Sequence, residues 1–113
     1  MNNIVYDEQD ALERAGGDPG RARLFLDMLL ESLPQAAHSL ATALDRNDVD
    51  ALQDNAHRLA GAASYCGAAA LREAAKALET RACEGDLLWN ASLTRNLLEQ
   101  IVRFRALMTA ADD

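Results

Sequence analysis

Few side chains here can do chemistry beyond buffering. They are two histidines, His38 and His57, two cysteines, Cys66 and Cys83, and a scatter of carboxylates. His57 stands out because of its company. It lies in Ala56-His57-Arg58-Leu59-Ala60-Gly61, continued by Ala62-Ala63-Ser64-Tyr65-Cys66-Gly67. An imidazole open to water is largely neutral just above neutral pH, and its free ring nitrogen can act as a nucleophile. The glycine one helical turn on clears the surface beside it. A cleared surface suits chemistry done with another protein rather than with a small substrate in a pocket. A glycine inside a helix costs about 1 kcal/mol relative to alanine. Gly61 therefore marks either an approach path or a close helix–helix contact, and the spacing alone allows both.

The other reactive groups have less support. His38 lies between Ala37 and Leu40 with no glycine at +4, and reads as ordinary surface. Cys66 and Cys83 have no CxxC spacing and read as free thiols in a reducing compartment. A metal-binding bundle would need Glu-x-x-His motifs on facing helices. The positions three before the two histidines are Gln35 and Asp54 instead, so no metal site is expected. The remaining Asp and Glu residues fall where solvated faces and caps would put them, which disfavours a carboxylate-pair hydrolase.

Breakers divide the chain into five helical segments that must position His57. Asp7 can cap a short helix running to Ala15, ended by Gly16-Gly17. Asp18-Pro19 pairs an N-cap with proline at the first helical position. From there Ala22, Phe25, Leu29, Leu33, Ala36, Leu40 and Leu44 recur at helical spacing. Pro34 lies inside that stripe and should kink or break the helix near residues 30–33. Asn47-Asp48 makes the next turn, and Val49, Leu52, Ala56, Leu59 and Ala63 form the seam of the third segment. Gly67 ends it. Leu71, Ala75, Leu78 and Ala82 mark the fourth segment, broken at Glu84-Gly85-Asp86. The fifth is expected to begin near Asn90 or Ser92 and to bury Leu93, Leu97, Ile101, Phe104 and Met108. Short connections make successive helices antiparallel neighbours. The expected fold is all-α: an up-and-down antiparallel four-helix bundle with a short additional N-terminal helix, one domain over residues 1–113.

At about 100° per residue, His57 lies roughly 100° from Ala56 at the centre of its seam, on the boundary between core and solvent. Gln53, Gly61 and Ser64 fall on the same side. Ala60 lies between His57 and the seam, and Arg58 points farther into solvent. The expected docking face is therefore His57, Gly61 and Ser64 with their small apolar neighbours Ala60 and Ala63, flanked by Gln53 and Arg58.

Composition agrees with packed helices. Half the residues are hydrophobic, yet there are only one tryptophan, two tyrosines and two phenylalanines. A formal net charge of -7 argues against nucleic acid and against an anionic membrane surface. The longest apolar run, residues 61–71, is too short to span a bilayer. The first residues lack the pattern of a signal peptide, so a cytoplasmic location is expected.

Histidine with glycine at +4 and +10 and leucine at +14, here His57, Gly61, Gly67 and Leu71, followed by Leu78-Glu79, resembles the histidine-containing phosphotransfer (HPt) domain. The segment looks most like the HPt modules at the C-terminus of hybrid sensor kinases of the BarA/GacS type. The Gly-Gly-Asp turn at 16–18, Leu33-Pro34 and Asn47-Asp48 fit as well. The resemblance implies a phosphocarrier of a multistep two-component phosphorelay. His57 would take a phosphoryl group from an aspartyl phosphate on one receiver domain and pass it to another. It also implies no cofactor on this chain, with Mg²⁺ on the partner receiver, and a monomeric bundle. No glycine-rich phosphate loop or GxxxxGK[ST] motif is present, so no autokinase activity is expected. Many family members carry lysine at +3, where this chain has Ala60. The resemblance thus leaves the phosphate's positive partner to Arg72 or Lys76 on the fourth helix. Alternatives are the HPt domain of a chemotaxis-type kinase, fed by a catalytic domain, or a helical adaptor that is not phosphorylated. A histidine-kinase dimerisation hairpin fits less well, because Gly61 stands where that family's proline pattern would lead.

Overall fold

The computed structural model describes residues 5–82, 84 and 86–111. Cys83, Gly85 and the first four residues, on which some of the expectations above fall, lie outside the described residues. The elements are α1 (Glu8–Arg14), α2 (Pro19–Asp45), α3 (Val49–Tyr65), α4 (Ala69–Ala82) and α5 (Leu87–Ala111). No strand occurs among the described residues. Helices α2 to α5 pack in sequence, and α2 also meets α5, which closes the ring of a four-helix bundle; α1 rests against α2. This is the expected architecture.

The first three helix starts have a local cause. Asp7 accepts a hydrogen bond from the Asp10 amide at 3.0 Å, and Asp18 from those of Gly20 and Arg21. Asp48 accepts from the Ala51 amide at 3.1 Å. Such caps satisfy amides that the helix itself leaves orphaned. Between α2 and α3, Asn47 adopts a left-handed conformation with φ of 51°. The Asp48 amide then reaches back to the Ala43 carbonyl at 2.9 Å. This closes the end of α2 in the manner of a Schellman turn.

Two expectations need correction. Of the kink or break expected at Pro34, the break does not occur: helix α2 runs through it for 27 residues. Leu29 and Leu33 before the proline and Leu40 after it are all buried, so core packing holds both halves in place. That packing outweighs one lost backbone bond. Helix α5 begins at Leu87, not near Asn90 or Ser92. Asp86, read as part of a break, is the cap: it accepts from the Leu88 and Trp89 amides, both at 3.1 Å. The apolar triplet Leu87, Leu88 and Trp89 hides this start from periodicity, because all three are exposed; Arg81 stacks over the Trp89 ring.

The core is built from leucine and alanine, with Leu97, Ile101 and Phe104 contributed by α5. The first two seam positions of α5 are polar. Asn90 and Thr94 are buried, and the Asn90 amide group and the Thr94 hydroxyl have no hydrogen-bond partner among the protein atoms. Each such atom costs about 1–3 kcal/mol. The double substitution Asn90→Leu, Thr94→Val is therefore expected to raise stability by about 1–3 kcal/mol in urea unfolding, with an unchanged slope. A lower midpoint would mean that solvent completes these bonds.

Candidate functional site

His57 projects from the middle of α3, and its side chain is 73% exposed. Its phase explains this: Ala56 and Leu59 on either side of it are buried in the seam, so the intervening position is carried to the rim. The ring does not float free. Nδ1 lies 2.5 Å from Oε2 of Glu79 on α4. A carboxylate can only accept, so the ring proton sits on Nδ1 and donates to Glu79. That assignment leaves the Nε2 lone pair facing outward. The tautomer and orientation of the ring are thus set by one hydrogen bond from a neighbouring helix.

Gln53 supports the arrangement from one turn earlier on α3, where its side-chain amide donates to the Glu79 carbonyl at 3.4 Å. Gly61 is exposed, and a Cβ built on it meets nothing within 4 Å. The glycine therefore serves no helix–helix contact. Its propensity cost is not returned by packing, and what it leaves is bare backbone one turn from His57. Ser64 is half-buried and turns its hydroxyl back onto the Ala60 carbonyl at 2.8 Å. Ala60 and Ala63 correct the expected docking face: both are buried, and their methyls are spent in packing rather than on the surface. Arg58 is exposed beyond His57.

On α4, Arg72 lines a cavity together with Ala63, Ser64, Gly67 and Ala68. Arg72 is thus level with Ser64, two turns from His57, while Lys76 is exposed between Arg72 and Glu79. Among the described residues no cluster of three or more His, Cys, Asp or Glu could hold a metal ion.

Two features escaped the sequence reading. Glu79 entered only as part of a Leu-Glu pair, because periodicity does not say which residue of α4 stands opposite His57. The second is an apolar groove between α2 and α3, lined by Phe25, Met28, Ala62, Tyr65 and Cys66. Met28 and Tyr65 are exposed there, and Tyr65 packs edge-to-face on Phe25 with ring centroids 6.5 Å apart. The groove could have been suspected from Phe25 and Met28 lying one turn apart. Cys66 is a free thiol that donates to the Phe25 carbonyl at 3.2 Å. Burial pushes its pKa up to about 11, so it is inert rather than reactive.

A helical bundle with an exposed histidine on its rim is the arrangement expected of phosphotransfer domains. The Hpt domain family model matches residues 24–112, and the chain belongs to that family. Its sequence is 39% identical over 77 residues to the sensor protein GacS of Pseudomonas syringae pv. syringae. It is 40% identical over 76 residues to the sensor histidine kinase GacS of Pseudomonas protegens. These matches cover 68% and 67% of this chain but only 8% of each kinase, so the chain spans a small part of their length. Two solved structures share the fold. One is the HPT domain of a sensor hybrid histidine kinase from Shewanella, with TM-score 0.85, 23% identity and coverage of 95% of this chain and 92% of that one. The other is the histidine-containing phosphotransfer protein HptB of Pseudomonas aeruginosa, with TM-score 0.83, 24% identity and coverage of 97% and 96%. The role of the class, carrying phosphoryl groups in a two-component phosphorelay, is the role of this chain.

Proposed function

We propose that His57 is the phosphorylated residue of this carrier and that receiver domains are its donors and acceptors. The Nε2 lone pair attacks the phosphorus of a receiver's aspartyl phosphate. The phosphorus–oxygen bond to that aspartate breaks, and its electron pair returns to the carboxylate. The Nδ1 proton stays with the ring, donated to Glu79, whose charge offsets the positive charge that develops on the imidazole. The reverse sequence delivers the group to a second receiver. Mg²⁺ is expected on the receiver, where it would neutralise the transferring oxygens. The observation that carries this reading is the pairing of a Glu79-bound Nδ1 with an open Nε2 beside bare backbone at Gly61.

The docking face is His57, Gly61 and the outer edge of Ser64, extended by the groove at Met28 and Tyr65. A second protein covering that groove would bury apolar surface. Gln53 and Arg58 flank the face. The chain is a carrier without autokinase activity, acting in the cytoplasm as a monomer, with no nucleic-acid or membrane contact of its own. Among the described residues no helix is long and apolar enough to cross a membrane.

Incubation with a phosphorylated receiver is expected to label the protein, and ATP alone is not. Labelling that requires ATP and a kinase catalytic domain, and is not given by any phospho-receiver, favours the chemotaxis-type arrangement. Gly61→Arg is expected to keep full helicity and to slow transfer roughly a hundredfold, since small displacements of a docked partner carry losses of that size. Unchanged transfer by this variant sinks the clearance reading of Gly61.

A further inference from the structure

A phosphoryl group on Nε2 of His57 brings about two negative charges to a rim that already holds Glu79, with Asp50 and Asp54 on the same helix. A cation is needed, and three arginines or lysines are close in sequence or across the helix pair: Arg58, Arg72 and Lys76. The cross-helix register separates them. His57 stands opposite Glu79, and Gln53 also reaches the Glu79 backbone. Farther along, Ser64 and Arg72 line the same cavity. In this antiparallel pair each step toward the C-terminus of α3 is a step toward the N-terminus of α4. Lys76 therefore stands level with Ala60 and Gly61, one turn from Glu79 on the same flank, about 4.5 Å along the axis. Arg72 is seven residues from Glu79, about 10 Å along the axis, and lines a cavity with Asp7, Asp10 and Ser64. Arg58 follows His57 directly and diverges from it by about 100° around α3.

Lys76 is also uncommitted. Carboxylates stand three residues before and after it, at Glu73 and Glu79, the spacing at which lysine usually finds a helix partner. Among the described residues it forms no ion pair with either, and Glu79 is engaged by His57. A flexible four-carbon stem with a free ammonium can swing over the bare backbone at Gly61.

We infer that Lys76 is the side chain that neutralises the phosphoryl group carried on His57, a role that rests on His57 being the acceptor. The test uses the whole chain and phosphoramidate as a small phosphodonor. Nε2 attacks phosphorus, the phosphorus–nitrogen bond breaks, and the amine leaves protonated. Phosphorus-31 NMR follows both the rate of labelling and the last ionisation of the phosphoryl group. Lys76→Met is expected to slow labelling roughly tenfold to a hundredfold, the range for a lost charge-assisted hydrogen bond, and to shift the phosphoryl ionisation to higher pH. Lys76→Arg should restore both, and Arg72→Met should leave both within about twofold of the unmodified chain. A purely structural role for Lys76 would not move the phosphoryl ionisation. An unmodified chain that labels while Lys76→Met behaves identically overturns this inference alone, as does an equal effect from Arg72→Met. Equal labelling of His57→Ala overturns the acceptor assignment and this inference together.

Discussion

His57→Ala is expected to take up no phosphoryl group from a phosphorylated receiver, whereas Glu79→Ala is expected to accept it roughly tenfold to a hundredfold more slowly. The two are expected to differ because, in the proposed reaction, His57 supplies the bond-forming lone pair, whereas Glu79 aims the ring and offsets its developing charge. Without Glu79 the ring can rotate and can carry its proton on either nitrogen, so only a fraction of molecules presents Nε2 correctly. The lost charge-assisted hydrogen bond is worth about 1.5–3 kcal/mol, which sets that range. Glu79→Gln should recover part of the rate, since its amide oxygen still accepts the Nδ1 proton. Nitrogen-15 NMR of the ring then reads the mechanism directly: a Nδ1–H tautomer in the unmodified chain and in Glu79→Gln, and a mixture in Glu79→Ala. Label on His57→Ala at the unmodified level removes His57 from the reaction.

Alanine substitutions at two glycines should have opposite signs. Gly67 has φ of +69°, and a Cβ there would run into the Asp7 backbone oxygen and lie 3.1 Å from the Ala11 methyl. The close approach is functional in the fold, for the Asp7 amide donates to the Gly67 carbonyl at 2.7 Å and so ties the start of α1 to the α3–α4 turn. Gly67→Ala must strain the turn or expel the α1 entry. A loss of about 2–4 kcal/mol is expected in urea unfolding. Gly61→Ala meets no atom and replaces a poor helix former by the best one, so it should add about 1 kcal/mol. Loss of stability at Gly61, or none at Gly67, contradicts the roles assigned to them.

Much of this was legible in the residues because helices write their phase into the sequence. The seam of Leu52, Ala56, Leu59 and Ala63 was readable at helical spacing, and all four are buried. Asp18, Asp48 and Asn47 marked turns by their side-chain chemistry. Where reading failed, a longer-range force had overruled a local one. Pro34 did not break α2, since Leu29, Leu33 and Leu40 anchor it from both sides. The start of α5 was placed too late, since its first apolar residues face solvent while Asn90 and Thr94 face the core.

The sequence by itself determined the number of helices, the caps that start the first three, and the angle of His57 about its own axis. Each depends on residues within a few turns of one another. Only the tertiary structure decided what stands across from His57. That Glu79 meets Nδ1, that Ala60 is buried, and that Lys76 lies level with Gly61 while Arg72 lies level with Ser64 all depend on how far α4 slides along α3. No periodicity encodes that slide. It is set by the tight turn at Gly67 and by the interlocking of Leu59, Ala63, Leu71, Ala75 and Leu78 in the core, which permits one register and excludes its neighbours.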